Sequence, residues 1–152
     1  MFQRLDRAYS GEVIARLVSL KPDTKPRWGK STPAQILGHL TDAVRYCQGA
    51  GPEIPFKGSW KAKYVFKPLL INQLVAIPHN VRLPKRDGSA RADAFREGTL
   101  DELKAALDEY LSRADAGTLT GRMHPFFGFM TSTQWLKFHR AHFKHHLGQF
   151  GL

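Results

Sequence analysis

Apolar residues return at helical spacing in several stretches of the chain, and glycine- and proline-rich segments separate them. Val13, Ile14, Leu17 and Leu20 mark a first helix, with Ser10 as its expected N-cap and Pro22 and Pro26 beyond its end. Thr32-Pro33-Ala34-Gln35 reads as a capping box with proline at the first helical position. Ile36, Leu40, Ala43, Val44 and Cys47 follow as one apolar stripe, and Gly49 and Gly51 stop it. A third helix is expected within Lys61 to Ala76, kinked or begun by Pro68. The fourth begins at Thr99, with Glu102 completing a capping box, and buries Leu100, Leu103, Leu107 and Leu111. The last begins at Thr131, with Gln134 in the same role, and runs to about Phe150. Residues 49–60, 77–98 and 117–130 read as connections. No strand-like alternation or repeat stands out. The expected fold is all-α, a helical bundle with long inter-helix connections, in a single domain over residues 1–152.

The chain of 152 residues is long enough to bury a core without disulfides. Cys47 is the only cysteine, so no internal disulfide and no cysteine-based zinc finger can form. No apolar run approaches the roughly 20 residues of a membrane span, and the first residues lack a signal-peptide core. A cytoplasmic protein of bacterial type, with no membrane partner, is the expectation. The net charge of +10 raises the question of nucleic acid. The basic residues are scattered, however, and no run exceeds Lys85-Arg86.

Histidine changes the picture. Five of the seven histidines, His124, His139, His142, His145 and His146, lie in the last 32 residues. On a wheel of about 100° per residue, His142 and His146 fall within about 60° of His139. They share the apolar stripe with Trp135, Phe143 and Phe150; His145 lies at its edge. Three imidazoles on one inward stripe crowd each other, and each unmet ring nitrogen costs about 1–3 kcal/mol. A divalent cation bound to neutral imidazoles resolves this. His142 and His146 have the His-x-x-x-His spacing that lets two rings converge. A third ligand must come from another helix, and His39 is the only other histidine in an expected helix. Three histidines leave a coordination position open, as catalytic sites do. Gln149 and Asp42, each one turn beyond a ligand, are expected to hydrogen-bond the ligands, with Asp42 orienting His39. His139 and His145 are candidate proton carriers.

The segment Arg27-Trp28-Gly29-Lys30-Ser31-Thr32-Pro33-Ala34-Gln35, followed by His39-Leu40-Thr41-Asp42-Ala43, resembles the DinB-like (YfiT-like) metal-binding bundle superfamily. The run His124-Pro125-Phe126-Phe127-Gly128, then Trp135, then His139-x-x-His142-x-x-His145-His146-x-x-Gln149-Phe150-Gly151, is similar to one branch of it, a domain of unknown function. The resemblance is strong at both ends of the chain and weak from about 49 to 92. It implies a four-helix bundle with a three-histidine site at His39, His142 and His146, ending in the family's His-x-x-x-His-x-x-Gln pattern. The wider superfamily does not assign His139 or His145 as ligands. Characterised relatives include transferases and isomerases that use low-molecular-weight thiols such as mycothiol or bacillithiol, and many are dimers. The resemblance thus implies a small-molecule substrate and a homodimer.

The expected function is a divalent-metal-binding protein, with zinc or nickel in the site and a thiol as a second cofactor, acting as a metal-dependent transferase or hydrolase. Arg82, Lys85, Arg86 and Arg91 in the 77–98 connection would then meet an anionic thiol cofactor. The alternative is a non-catalytic basic domain that binds nucleic acid or another anionic partner, with Lys137, Arg140 and Lys144 outward on the last helix. Against it, aromatic residues are not expected to interleave with the basic ones in a stacking pattern. His124, before a proline, is expected to be structural, and Cys47 to be a core residue rather than a nucleophile.

Overall fold

The computed structural model describes residues 3–79, 81 and 95–152. The basic connection singled out above, with Arg82, Lys85, Arg86 and Arg91, lies outside the described residues. The described part is mostly helical. Its long helices are α1 (Arg7–Val18), α2 (Pro33–Cys47), α4 (Leu100–Asp115) and α5 (Ser132–Gln149). A short α3 (Lys67–Ile71) continues a π-helical turn at Ala62–Phe66. The chain also makes a two-stranded antiparallel hairpin of β1 (Arg122–His124) and β2 (Gly128–Met130).

Local chemistry fixes the helix ends. Thr32, Thr99 and Thr131 each accept from the backbone three residues on, and Gln35, Glu102 and Gln134 reach back to the cap, so all three expected capping boxes are present. The first helix begins earlier than expected. Asp6 rather than Ser10 is its cap, accepting from the Tyr9 N–H at 2.8 Å, and Ser10 is buried inside the helix. The helix ends at Val18, ahead of both prolines. Pro68 does interrupt the third element. It lies in the first turn of α3, at the junction with the π-helical turn. Just before it, the Lys67 N–H reaches back to the Ala62 carbonyl and closes the wider π turn.

Helix α4 packs on α1 and α2, and α5 packs on α1, α2 and α3. Their apolar faces meet in one core that includes Val13, Ile36, Leu40, Val44, Leu103, Leu107, Tyr110, Phe143 and Leu147, all buried. No helix among the described residues is long and apolar enough to cross a membrane.

The hairpin corrects the reading of 117–130 as a plain connection. His124 is its hinge: the buried ring accepts at Nδ1 from the N–H groups of Phe126 and Phe127, at 3.1 and 3.3 Å. This is the structural role expected of it. Two core side chains tether the first strand: the Tyr46 hydroxyl donates to the Met123 carbonyl at 2.6 Å, and the Trp135 indole N–H donates to the Arg122 carbonyl at 3.1 Å.

Candidate metal centre

His39 stands mid-way along α2, and His142 and His146 stand on successive turns of α5, where the two helices meet. Their rings converge edge to edge. His142 Nε2 lies 3.0 Å from His39 Nε2 and 3.1 Å from His146 Nε2. One nitrogen from each of the three falls within 4.8 Å of the others. The ring planes cross steeply, at 73° to 87°, so the nitrogens point toward a common space rather than stacking.

The three rings are held neutral. Burial, with the neighbouring imidazoles adding to it, holds His39 and His142 well below the usual 6.5. Burial also pushes His146 down to about 4, opposed by the hydrogen bond that its ring donates to Gln149. All three are neutral at pH 7, the state in which imidazole ligates a metal. Gln149 then decides the tautomer of His146. The Gln149 Nε2 donates to the Trp28 carbonyl at 3.0 Å, which turns Oε1 toward His146 Nδ1, 2.8 Å away. That network assigns the His146 hydrogen to Nδ1 and leaves Nε2 free to ligate. By contrast, His142 Nδ1 is buried with no partner.

The loop before α2 closes this arrangement. The Arg27 N–H donates to the Gln149 carbonyl at 2.7 Å, beside the Trp28 contact, so Arg27-Trp28-Gly29 ties down the last turn of α5. Gly29 adopts φ 75°, and a Cβ there would stand 3.1 Å from the Gln149 amide nitrogen.

The other expected residues do not join the three converging nitrogens, although the His145 ring lies 4.9 Å from that of His146 and the His139 ring 6.5 Å from that of His142. Asp42 does not reach His39; its carboxylate accepts from Arg96 at 2.9 Å, and Arg96 also binds Glu102 at 3.2 Å. The group that does lie on His39 is Phe95, stacked with ring centres 3.9 Å apart. A close backbone approach delivers it. A Cβ on Gly38 would overlap the Arg96 carbonyl, and the Gly98 N–H donates to the Ala34 carbonyl at 2.8 Å. His139 is fully buried, with Nε2 3.3 Å from the Cys47 sulfur and its ring against Tyr110. Burial pushes its pKa to about 3. The Cys47 thiol, beside it, is pushed up to about 12, mainly by burial, which makes it an unreactive core group. His145 is half-buried and bonded to the Ile77 backbone, and it meets Trp28 at 5.5 Å between ring centres. Trp28 in turn stacks flat on His79 at 3.7 Å. Sequence reasoning missed this Trp28–His79–His145 group and the Phe95 cover. Only the Arg27-Trp28-Gly29 motif pointed toward them.

A family model described as "Protein of unknown function (DUF1569)" matches residues 2–151. No curated protein and no solved structure matches the chain. The match spans nearly the whole sequence, and the chain belongs to the DUF1569 family.

Proposed function

We propose that this protein binds one divalent metal ion through His39, His142 and His146, and that the family is a branch of the DinB-like four-helix metal-binding bundles. The observation that carries the reading is the meeting of three neutral imidazole nitrogens, on the buried His142 and His146 and the half-buried His39, one of them fixed as a lone pair by Gln149. As a hydrogen-bonded cluster the group is not self-sufficient. His142 Nε2 lies about 3 Å from two other ring nitrogens and can share a hydrogen with only one of them at a time, and His142 Nδ1 goes without a partner, at a cost of about 1–3 kcal/mol. Cation binding offsets that cost, and the donor set suits zinc or nickel.

The protein residues supply the rest of the chemistry. His146 is positioned by Gln149, and Gln149 by the Trp28 carbonyl. Phe95 shields His39 from water on one face. A divalent ion held by His39, His142 and His146 would lower the pKa of a bound water or thiol toward neutrality. Three protein ligands would leave a position for that group, and the resemblance to thiol-using relatives then points to a transferase or hydrolase of a small molecule, with a low-molecular-weight thiol as co-substrate. A titration with zinc and with nickel against a chromophoric chelator tests the binding. About one equivalent should bind the wild type and none His142→Ala. A zinc- or nickel-loaded sample should then accelerate addition of a small thiol to an aromatic electrophile. Equal rates for wild type and His142→Ala would refute the thiol-transfer reading.

A further inference from the structure

The segment Phe56–Lys67 takes no part in the metal centre, yet it holds five of the nine large hydrophobic residues that stand exposed among the described residues. Trp60 is 65% exposed and Tyr64 67%, and Phe56, Val65 and Phe66 are exposed beside them. Phe129, from β2, is 53% exposed and belongs to the same surface. The Lys67 ammonium donates to the Phe129 carbonyl at 2.7 Å, and the Lys63 side chain lies against Gly128. Side chains buried under this surface are already satisfied: Leu70 and Ile71 sit in the core, and α3 packs on α5. The exposed rings are therefore surplus to folding. Exposed apolar clusters of this kind mark contact surfaces.

Charge selects the partner. Lysines are threaded through the rings, contrary to the expectation that aromatic and basic residues would not interleave. Lys61 Nζ lies 5.8 Å from the Trp60 ring centre, and Lys63 Nζ lies 5.2 Å from Tyr64 and 5.8 Å from Phe56. Neither residues 54–81 nor residues 116–152 contain a single Asp or Glu. Lys63, Tyr64, Lys67 and Gln134 rim a shallow depression of about 240 Å³ floored by Pro68 and Ile71. Two ammonium groups stand beside it with no carboxylate in the lining, an arrangement suited to an anionic headgroup.

Lysines around tryptophan, tyrosine and aliphatic side chains are the composition of a bilayer interface. Nucleic acid is the poorer fit. Stacked bases gain nothing from Val65, and residues 54–81 contain no arginine, the residue best shaped for nucleic-acid phosphates. We propose that Phe56–Lys67, with Phe129, seats the protein on anionic lipid bilayers. The lysines meet headgroup phosphates, and Trp60, Tyr64 and Phe66 enter the interfacial layer. The protein lies on the surface rather than spanning it. This departs from the expectation of no membrane partner, and it stands independently of the metal centre.

Flotation with vesicles tests it, using phosphatidylcholine alone and phosphatidylcholine with one-third phosphatidylglycerol, in 0.1 M salt. Wild type should float with the anionic vesicles and not with the neutral ones. Each lysine near an anionic surface is worth about fivefold in partitioning, so Lys61→Gln/Lys63→Gln should weaken binding about 30-fold. Trp60→Ser/Tyr64→Ser alters only exposed positions, so it should keep the wild-type circular dichroism and lose binding at least tenfold. His142→Ala should float like the wild type. Failure of the wild type to float, equal binding to neutral vesicles, or full binding by Trp60→Ser/Tyr64→Ser would each overturn the proposal. So would displacement of the vesicles by a single-stranded oligonucleotide that binds more tightly, which would identify a nucleic-acid surface instead.

Discussion

Acid should unfold the metal-free protein at a pH where most carboxylates are still ionised. Burial pushes His124 and His139 down to about 3 and His146 to about 4, whereas an unfolded imidazole titrates near 6.5. Between those values the unfolded chain takes up protons that the folded chain refuses. The stability these groups contribute is complete above about pH 6.5 and is lost as pH falls toward the folded values. Each contributes a slope of about 1.4 kcal/mol per pH unit. Lowering the pH from 7.5 to 5.0 therefore costs about 2 kcal/mol for each group, or about 6 kcal/mol for the three. His39 and His142, also held well below 6.5, act in the same direction. A domain of this size has about 5–15 kcal/mol in total, so the loss is decisive. Glu102, lowered by its hydrogen bond to Arg96, matters only below its ordinary 4.5 and stays outside this window. Urea titrations followed by circular dichroism, in chelator at pH 7.5, 6.0 and 5.0, measure the effect. His139→Leu should remove about one proton's slope. A metal-free stability that changes by less than about 1 kcal/mol over this range would refute the assignment of these rings as buried and neutral.

Three further outcomes follow from single contacts. Gln149→Leu removes the acceptor at His146 Nδ1 and frees the Trp28 carbonyl; metal affinity should fall about 10- to 100-fold in a competitive chelator titration, and an unchanged affinity would mean Gln149 does not set His146. Gly38→Ala drives a methyl into the Arg96 carbonyl, which should cost about 1–3 kcal/mol in urea unfolding and loosen the Phe95 cover of His39; no loss would deny the close approach. Cys47, buried and bonded to the Val44 carbonyl, should react with an aromatic disulfide only at the rate of global unfolding, and rapid labelling of the native protein would contradict its placement.

The sequence announces what local rules encode. Thr32-Pro33-Ala34-Gln35, Thr99 with Glu102, and Thr131 with Gln134 are self-contained capping boxes, and the structure keeps each one. The stripe of His139, His142 and His146 among apolar positions foretold burial, and all three are buried. What depends on tertiary approach was not legible. Strands of three residues are too short to show alternation, so the hairpin at His124 was hidden. Asp42 is one turn from His39, but the helix does not dictate its partner; Arg96, arriving through the Gly38–Gly98 contact, takes it. The same contact brings Phe95 onto His39, and no spacing within α2 could reveal that. Asp6 displaced Ser10 as the first cap because a carboxylate within reach of the Tyr9 N–H holds that position equally well.

The central claim is a metal held by His39, His142 and His146. Elemental analysis of untagged protein purified without chelators, beside His39→Ala/His142→Ala/His146→Ala, tests it most directly. The account predicts close to one equivalent of zinc or nickel in the wild type and none in the triple variant. A wild type that carries no metal and takes up neither added zinc nor added nickel would contradict it.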